Sequence, residues 1–206
     1  TPLVVSNLAD GLHTVSVLAL DFVGGNQQPE TSPTTVSWRV KATPPIVTVD
    51  PIPAVPTRET SRTVTGTINE LGIVPQVTTD TGATAGPVSV VPGSGAATWS
   101  CQISGLKKGM NNITVTATDI ALNAVSATTG VTIILPDGCF KGTATPDITD
   151  AVKALRIAVG TVEPSLEDRL HGDVAPLVNG VPAPDDVIDA NDALMILKKV
   201  VGLVNF

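Results

Sequence analysis

The sequence predicts a mainly β chain, an antiparallel β-sandwich fold, that ends in a small all-α unit. Three observations lead there. Residues 1–135 are dominated by Thr, Val, Ser, Gly and Pro, set out as short apolar–polar alternations between turn residues. Beyond Leu135 the composition moves to Leu, Ala, Asp and Lys, and the apolar period lengthens to that of a helix. Hydrophobic residues are 42% of the 206, against 15% charged, which supplies enough apolar surface for packed cores and excludes a disordered chain.

Taken in order, "PLVVSNL", "GLHTVSVLAL" and "TTVSWRV" within residues 1–42 read as strands, and "DFVGGNQQPETSP" reads as a turn-rich loop. Three strands are too few for a stable sandwich. Residues 43–135 supply seven more: "PIVTVD", "SRTVTGTI", "PQVTTD", "PVSVVP", "AATWSCQI", "NNITVTATD" and "SATTGVTIIL". Their Pro, Gly and Asn punctuation has the spacing of a β-sandwich. Trp38 and Trp99 fall in strand patterns, as core residues do. Within 136–206, "TDAVKALRIAVG" places Val152, Leu155, Ile157 and Val159 on a helix that stops at Gly160. "PSLEDRL" begins a shorter helix at Pro164, and "NDALMILKKVVG" forms a third, with Leu194, Ile196, Leu197 and Val200 as its apolar residues and Gly202 at its end.

Several function classes are excluded. A net charge of −7, with no cluster of Lys or Arg, gives no electrostatic footprint for nucleic acid. No apolar run approaches the ~20 residues that cross a bilayer, and there is no basic-then-apolar leader pattern. The chain is read as soluble, a piece of a longer protein. Two cysteines and two histidines, with no C-x-x-C, build neither a zinc cage nor a haem attachment. No nucleophile–base–orienter pattern and no G-x-S-x-G elbow is present, so the chain is read as non-enzymatic. With no Tyr and two Trp, a sugar-binding platform of exposed aromatic rings has little to stand on.

An internal likeness organises the first 135 residues: "GLHTVSVLALDFVGGNQQ" lines up with "GMNNITVTATDIALNAVS", each a loop glycine, a strand, an aspartate and a second loop with asparagine. These segments resemble the last strands of bacterial extracellular immunoglobulin-like repeats. The resemblance implies an Ig-like sandwich over 43–135 and, over 1–42, only the C-terminal half of one. Such a half-domain leaves strand edges unpaired, to be completed by another chain, an upstream segment or the next module.

The acidic residues of the last unit raise a different question. Asp173, Asp185, Asp186, Asp189 and Asp192 crowd before an apolar helix, where like charges repel unless a positive group sits among them. Helix capping accounts for one aspartate per helix; it does not account for Asp185 and Asp189 on either side of the hydrophobic Ile188. "PDITDAVKALRIAVG" and "DVIDANDALMILKKVVG" resemble the two loop–helix repeats of dockerin modules, calcium-binding units that dock onto cohesins. The resemblance implies an EF-hand-like loop with oxygen ligands at positions 1, 3, 5, 7, 9 and 12. In the second repeat Asp192 takes position 12, Asp189 position 9, the Val187 carbonyl position 7 and Asp185 position 5. An insertion, "VAPLVNGVPAP", pushes the first ligand back to Asp173. Asp186 stands at the turn-glycine position, facing solvent or assisting. The first repeat is degenerate: Asp150, Asp147 and the Thr145 carbonyl keep their places, while Thr143, Lys141 and Cys139 replace the other ligands and Lys141 repels a cation. One Ca2+ is therefore expected in the second loop, with the first empty or weak.

Lys153, Arg156, Lys198 and Lys199 lie on the two dockerin-like helices, where the resemblance implies a partner surface and helix-end electrostatics offers a simpler role. His171 is expected at a helix end. Cys101 alternates with Trp99 and Ile103 as a buried thiol would; a disulfide to Cys139 is the competing reading. The combined expectation is an extracellular, cell-surface bacterial region that is structural and interactive: Ig-like spacer, then a calcium-stabilised docking module with a cohesin-like or intramolecular partner. The alternatives are a surface-assembly subunit completed by another chain's strand, or an accessory region of a secreted hydrolase.

Overall fold

The computed structural model describes residues 2–24, 26–29, 32–142 and 145–206. Its first portion has four strands: β1 (Gly11–Val17), β2 (Leu20–Val23), β3 (Asn26–Pro29) and β4 (Thr34–Val40). β1 pairs antiparallel with β4, from Gly11 opposite Val40 to Val17 opposite Thr34, and β2 pairs with β3 as a hairpin inside what the sequence suggests is a loop. "PLVVSNL" does not become a strand. Leu3, Val4 and Val5 are exposed, and without a neighbour an extended apolar run has no ladder to join. Trp38 is half-buried, tilted against His13 with ring centroids 6.1 Å apart, and belongs to no core.

The sandwich follows as β5 (Ser61–Ile68), β6 (Gln76–Thr79), β7 (Thr84–Pro92), β8 (Ala97–Ser104), β9 (Gly109–Thr118) and β10 (Ala124–Ile133). Two antiparallel three-stranded sheets form, in the orders β5-β8-β7 and β10-β9-β6. Their period-2 pattern is what buries them: Trp99, Cys101 and Ile103 of β8 face Ile113, Val115 and Ala117 of β9 across one core, while alternate Thr and Ser face water. "PIVTVD" contributes a single bridge, Val47 to Ile68, rather than a strand, although Thr48 and Asp50 donate N–H bonds to Thr67 and Thr65 at 2.9 and 2.8 Å.

The last portion holds α1 (Ile148–Ala158), α2 (Leu166–Gly172), the short pair β11 (Leu177–Val178) and β12 (Val181–Pro182), and α3 (Ala190–Val200). Its separate core is built from Ala151, Ala154 and Ile157 of α1, Ala193 and Ile196 of α3, and Val174 and Ile188. The helices are rotated from the sequence expectation: small alanines pack between them, while Val152, Leu155, Val159, Leu194 and Leu197 are exposed.

Ion pairs mark both junctions. Lys41 lies 2.9 Å from Glu70, 3.7 Å from Asp10 and 3.8 Å from Asp119, between the first strand pairs and the sandwich. Between sandwich and helices, Asp137 bonds the Nδ1 of His171 at 2.7 Å and pairs with Lys108. Among the described residues no helix is long and apolar enough to cross a membrane.

Candidate metal centre

Both helix starts that follow the acidic loops are built alike. Asp147 caps α1 and Asp189 caps α3, and in each case the aspartate three residues on, Asp150 or Asp192, accepts from the cap's own N–H at 2.8 Å. The partner carboxylate oxygen reaches back to the loop's beginning: Phe140 N donates to Asp150 at 3.1 Å, and Val174 N to Asp192 at 2.7 Å. This pairing sets Cys139 equivalent to Asp173. Asp150 follows Cys139 by 11 residues and Asp192 follows Asp173 by 19, so the second loop is eight residues longer, and the β11–β12 hairpin lies in that insertion.

The insertion folds out and leaves Asp173 against the acidic turn. Asp173 is fully buried, and its oxygens accept from the N–H groups of Asp185 at 3.2 Å and Asp186 at 2.8 Å. Asp186 has φ +68 and an almost fully exposed side chain, the turn conformation expected where a glycine would ordinarily sit. Asp185 accepts from Val187 N at 3.1 Å, Ile188 is buried in the helical core, and Asp185 and Asp189 line one surface depression with Pro176 and Asn191. Asp192 is buried and accepts three N–H groups, yet burial together with the nearby charge of Asp173 pushes its carboxyl above the usual range.

The sequence placed no positive residue here, and the structure brings one from beside the sandwich. Arg58, 115 residues before Asp173, bonds it through Nη1 at 3.1 Å and lies 3.7 Å from Asp186. Its Nε donates to the Leu170 carbonyl at 3.2 Å, and Nη2 donates to the carbonyl of Arg169. No local pattern announces such a contact; only the folded junction makes it.

Among the described residues no group of three or more carboxylate, thiol or imidazole side chains converges as a metal cage. The donors that the second loop offers, the carboxylates of Asp173, Asp185, Asp189 and Asp192 and the Val187 carbonyl, are all oxygens, and two of those carboxylates, Asp173 and Asp192, are buried. That chemistry suits a hard cation, which takes about six to eight oxygen ligands, and not zinc. In the first loop Thr143 lies outside the described residues. Lys141 there pairs with Asp147 at 2.8 Å, and together with the Thr149 hydroxyl and amide holds Asp147 far below the usual carboxylate range. Thr145 lies beside Pro146 at the edge of a depression shared with Lys199 and Leu203.

The basic residues divide. Lys153 is committed inside the unit, 2.5 Å from Asp168 and over the Phe140 ring at 4.9 Å. Lys199 donates to the carbonyls of Asp137 at 3.0 Å and Phe206 at 2.7 Å, and burial lowers its pKa. Both thus make contacts within the unit. Arg156 and Lys198 remain on the outer side, one residue past Leu155 and Leu197. Those leucines, with Ile148, Val152, Ala190 and Leu194, line an apolar groove between α1 and α3. The disulfide reading is corrected as well: Cys101 is a thiol in the sandwich core, its Sγ 3.4 Å from the Gly86 carbonyl, and is not joined to Cys139, which is buried in the helical portion.

No family model matches the sequence, and no curated protein matches it. Among solved structures, domains 4 and 5 of the S-layer protein SbsC are 22% identical over 58% of this chain and 66% of that one, with a TM-score of 0.30. The BIgI domain of beta protein from S. agalactiae, bound to CEACAM1, is 17% identical over 43% of this chain and 95% of its own, with a TM-score of 0.30. The titin M3 domain is 14% identical over the same shares, also at 0.30.

Proposed function

We propose that this chain is a non-catalytic, extracellular structural and interaction region: Ig-like spacer units followed by a calcium-stabilised helical module that presents α1 and α3 to a protein partner of cohesin type. The observation that carries this reading is the gathering of acidic oxygens at the entrance to α3, with Asp173 and Asp192 buried and Asp185 and Asp189 lining one depression. Arg58 bonds Asp173 but none of Asp185, Asp189 and Asp192, and carboxylates gathered this way repel one another, which favours a further cation among them. Bound there, calcium supplies electrostatic neutralisation. The chain's own residues do the rest: Asp189 caps α3, Ile188 anchors the loop to the core, and the helix pair holds its exposed apolar groove in shape. An ion bound by the folded state alone stabilises that state, so the order of the helices is linked to calcium.

The test is calorimetric titration of calcium chloride into chelator-stripped protein. About one equivalent is expected to bind, and Asp189→Ala is expected to remove most of that affinity. In chelator the same substitution costs the helix only an N-cap, about 1 kcal/mol. Silence from unmodified protein, or equal binding by the variant, overturns the metal assignment.

A second reading draws on β1 and β4. Among the described residues each has only the other as neighbour, and Leu12, Val17 and Val36 are exposed on them, so a strand from another polypeptide could extend this ribbon.

A further inference from the structure

Arg58 is held from both ends. Its neighbour Thr57 is bound to the sandwich, donating to Thr132 at 3.1 Å and accepting from Ile134 at 2.9 Å, beside the last strand. Its side chain crosses to the helical portion, where it meets two carbonyls of the last turn of α2 and the buried carboxylate of Asp173. The first loop provides a comparison. There Lys141, within the loop itself, pairs with the capping Asp147. Each acidic loop thus carries one basic side chain, the first from its own sequence and the second from the sandwich.

We propose that Arg58 is an internal counter-cation for the second loop, and that its guanidinium and a divalent cation oppose each other across Asp173. The inference rests on the calcium reading. A carboxylate oxygen bonded by a guanidinium is a poorer ligand for a second positive ion, and two positive groups drawn to one carboxylate repel each other. Binding linkage is reciprocal: by whatever factor Arg58 weakens calcium, calcium weakens the grip of Arg58 on α2 and Asp173. Calcium then does more than stiffen the helical unit; it loosens one of the ties between that unit and the sandwich, while the pairs of Asp137 with His171 and Lys108 remain. Arg58 is a positioning residue here, not a metal ligand.

The experiment compares calcium titrations of the whole chain carrying Arg58, Arg58→Gln or Arg58→Lys, with circular dichroism to establish that each is folded. Glutamine removes the charge and keeps a polar side chain, and is expected to tighten calcium binding about tenfold, within the usual range of coupling between sites. Lysine keeps the charge and is expected to bind close to the unmodified protein. Hydrogen exchange supplies the reciprocal measurement: calcium speeds exchange at the α2 end in the unmodified protein and not in Arg58→Gln. Calcium binding by the glutamine variant alone also supports the proposal. If the unmodified protein binds calcium and glutamine leaves the affinity equal or weaker, the role of Arg58 is overturned while the calcium site stands. If none of the three binds calcium, the site and this inference fall together.

Discussion

Gly66 shows how tightly one position can be specified. It lies on β5 where the sandwich closes over Trp99, and a Cβ built there would stand 2.0 Å from the Thr48 carbonyl oxygen and 2.9 Å from the indole of Trp99. The same carbonyl accepts the Trp99 Nε1–H at 3.1 Å. Gly66→Ala must therefore push backbone away from the buried tryptophan, with an expected loss of about 1–3 kcal/mol in urea unfolding, as for other overpacked cores. An unchanged midpoint would mean that the strand yields there. Among acidic residues, side chains with similar sequence roles diverge by contact: Asp192 is pushed up by burial and by Asp173, whereas Asp147 is pulled down by Lys141 and Thr149. Composition shows that aspartates cluster; only contacts decide which of them resist ionisation.

At the scale of elements, alternation and capping were legible where a partner was certain to exist. All six sandwich strands fall on sequence runs that alternate, and the three helices fall where a capping Asp or Ser precedes an apolar period. "PLVVSNL" is an apolar run and "PIVTVD" alternates, yet neither has a full ladder, because pairing depends on which chain segments arrive beside them. Helix faces were less legible than helix positions. The pattern offered large side chains for the helical core, yet Ala154 and Ala193 pack at the α1–α3 contact, so the helices approach closely and their leucines turn outward. Ile196 is fully buried at that contact. Ile196→Ala is expected to cost about 2–5 kcal/mol, confined to the helical portion. Denaturation followed separately there and by Trp99 fluorescence should shift the first transition and leave the second in place; a common shift would show the two cores to be one cooperative unit.

For the molecule as a whole, the contacts that join its portions are polar, and these were the least legible, since each links residues far apart in sequence. Asp137 illustrates the consequence. Burial acts to raise its pKa, but the bond with His171, the pairing with Lys108 and the amide of Cys139 outweigh it, and the net shift is downward. A carboxylate lowered on folding contributes stability that is complete above its ordinary value of 3.8 and is lost as pH falls through the lower folded-state value. Asp137→Asn should therefore cost most near neutrality, and the gap between variant and unmodified protein in thermal midpoint should close as the pH is taken below 3.8. A gap that is constant with pH would assign the loss to packing instead.

Lys41, among Asp10, Glu70 and Asp119, carries a different implication. Its attraction to Asp10 and Glu70 is partly open to water, and dissolved ions shorten the reach of such forces from about 10 Å at 0.1 M salt to about 3 Å at 1 M. The hold of Lys41 on these carboxylates is therefore expected to weaken as salinity rises, so that the first strands are tied to the sandwich more firmly in dilute surroundings than in brine.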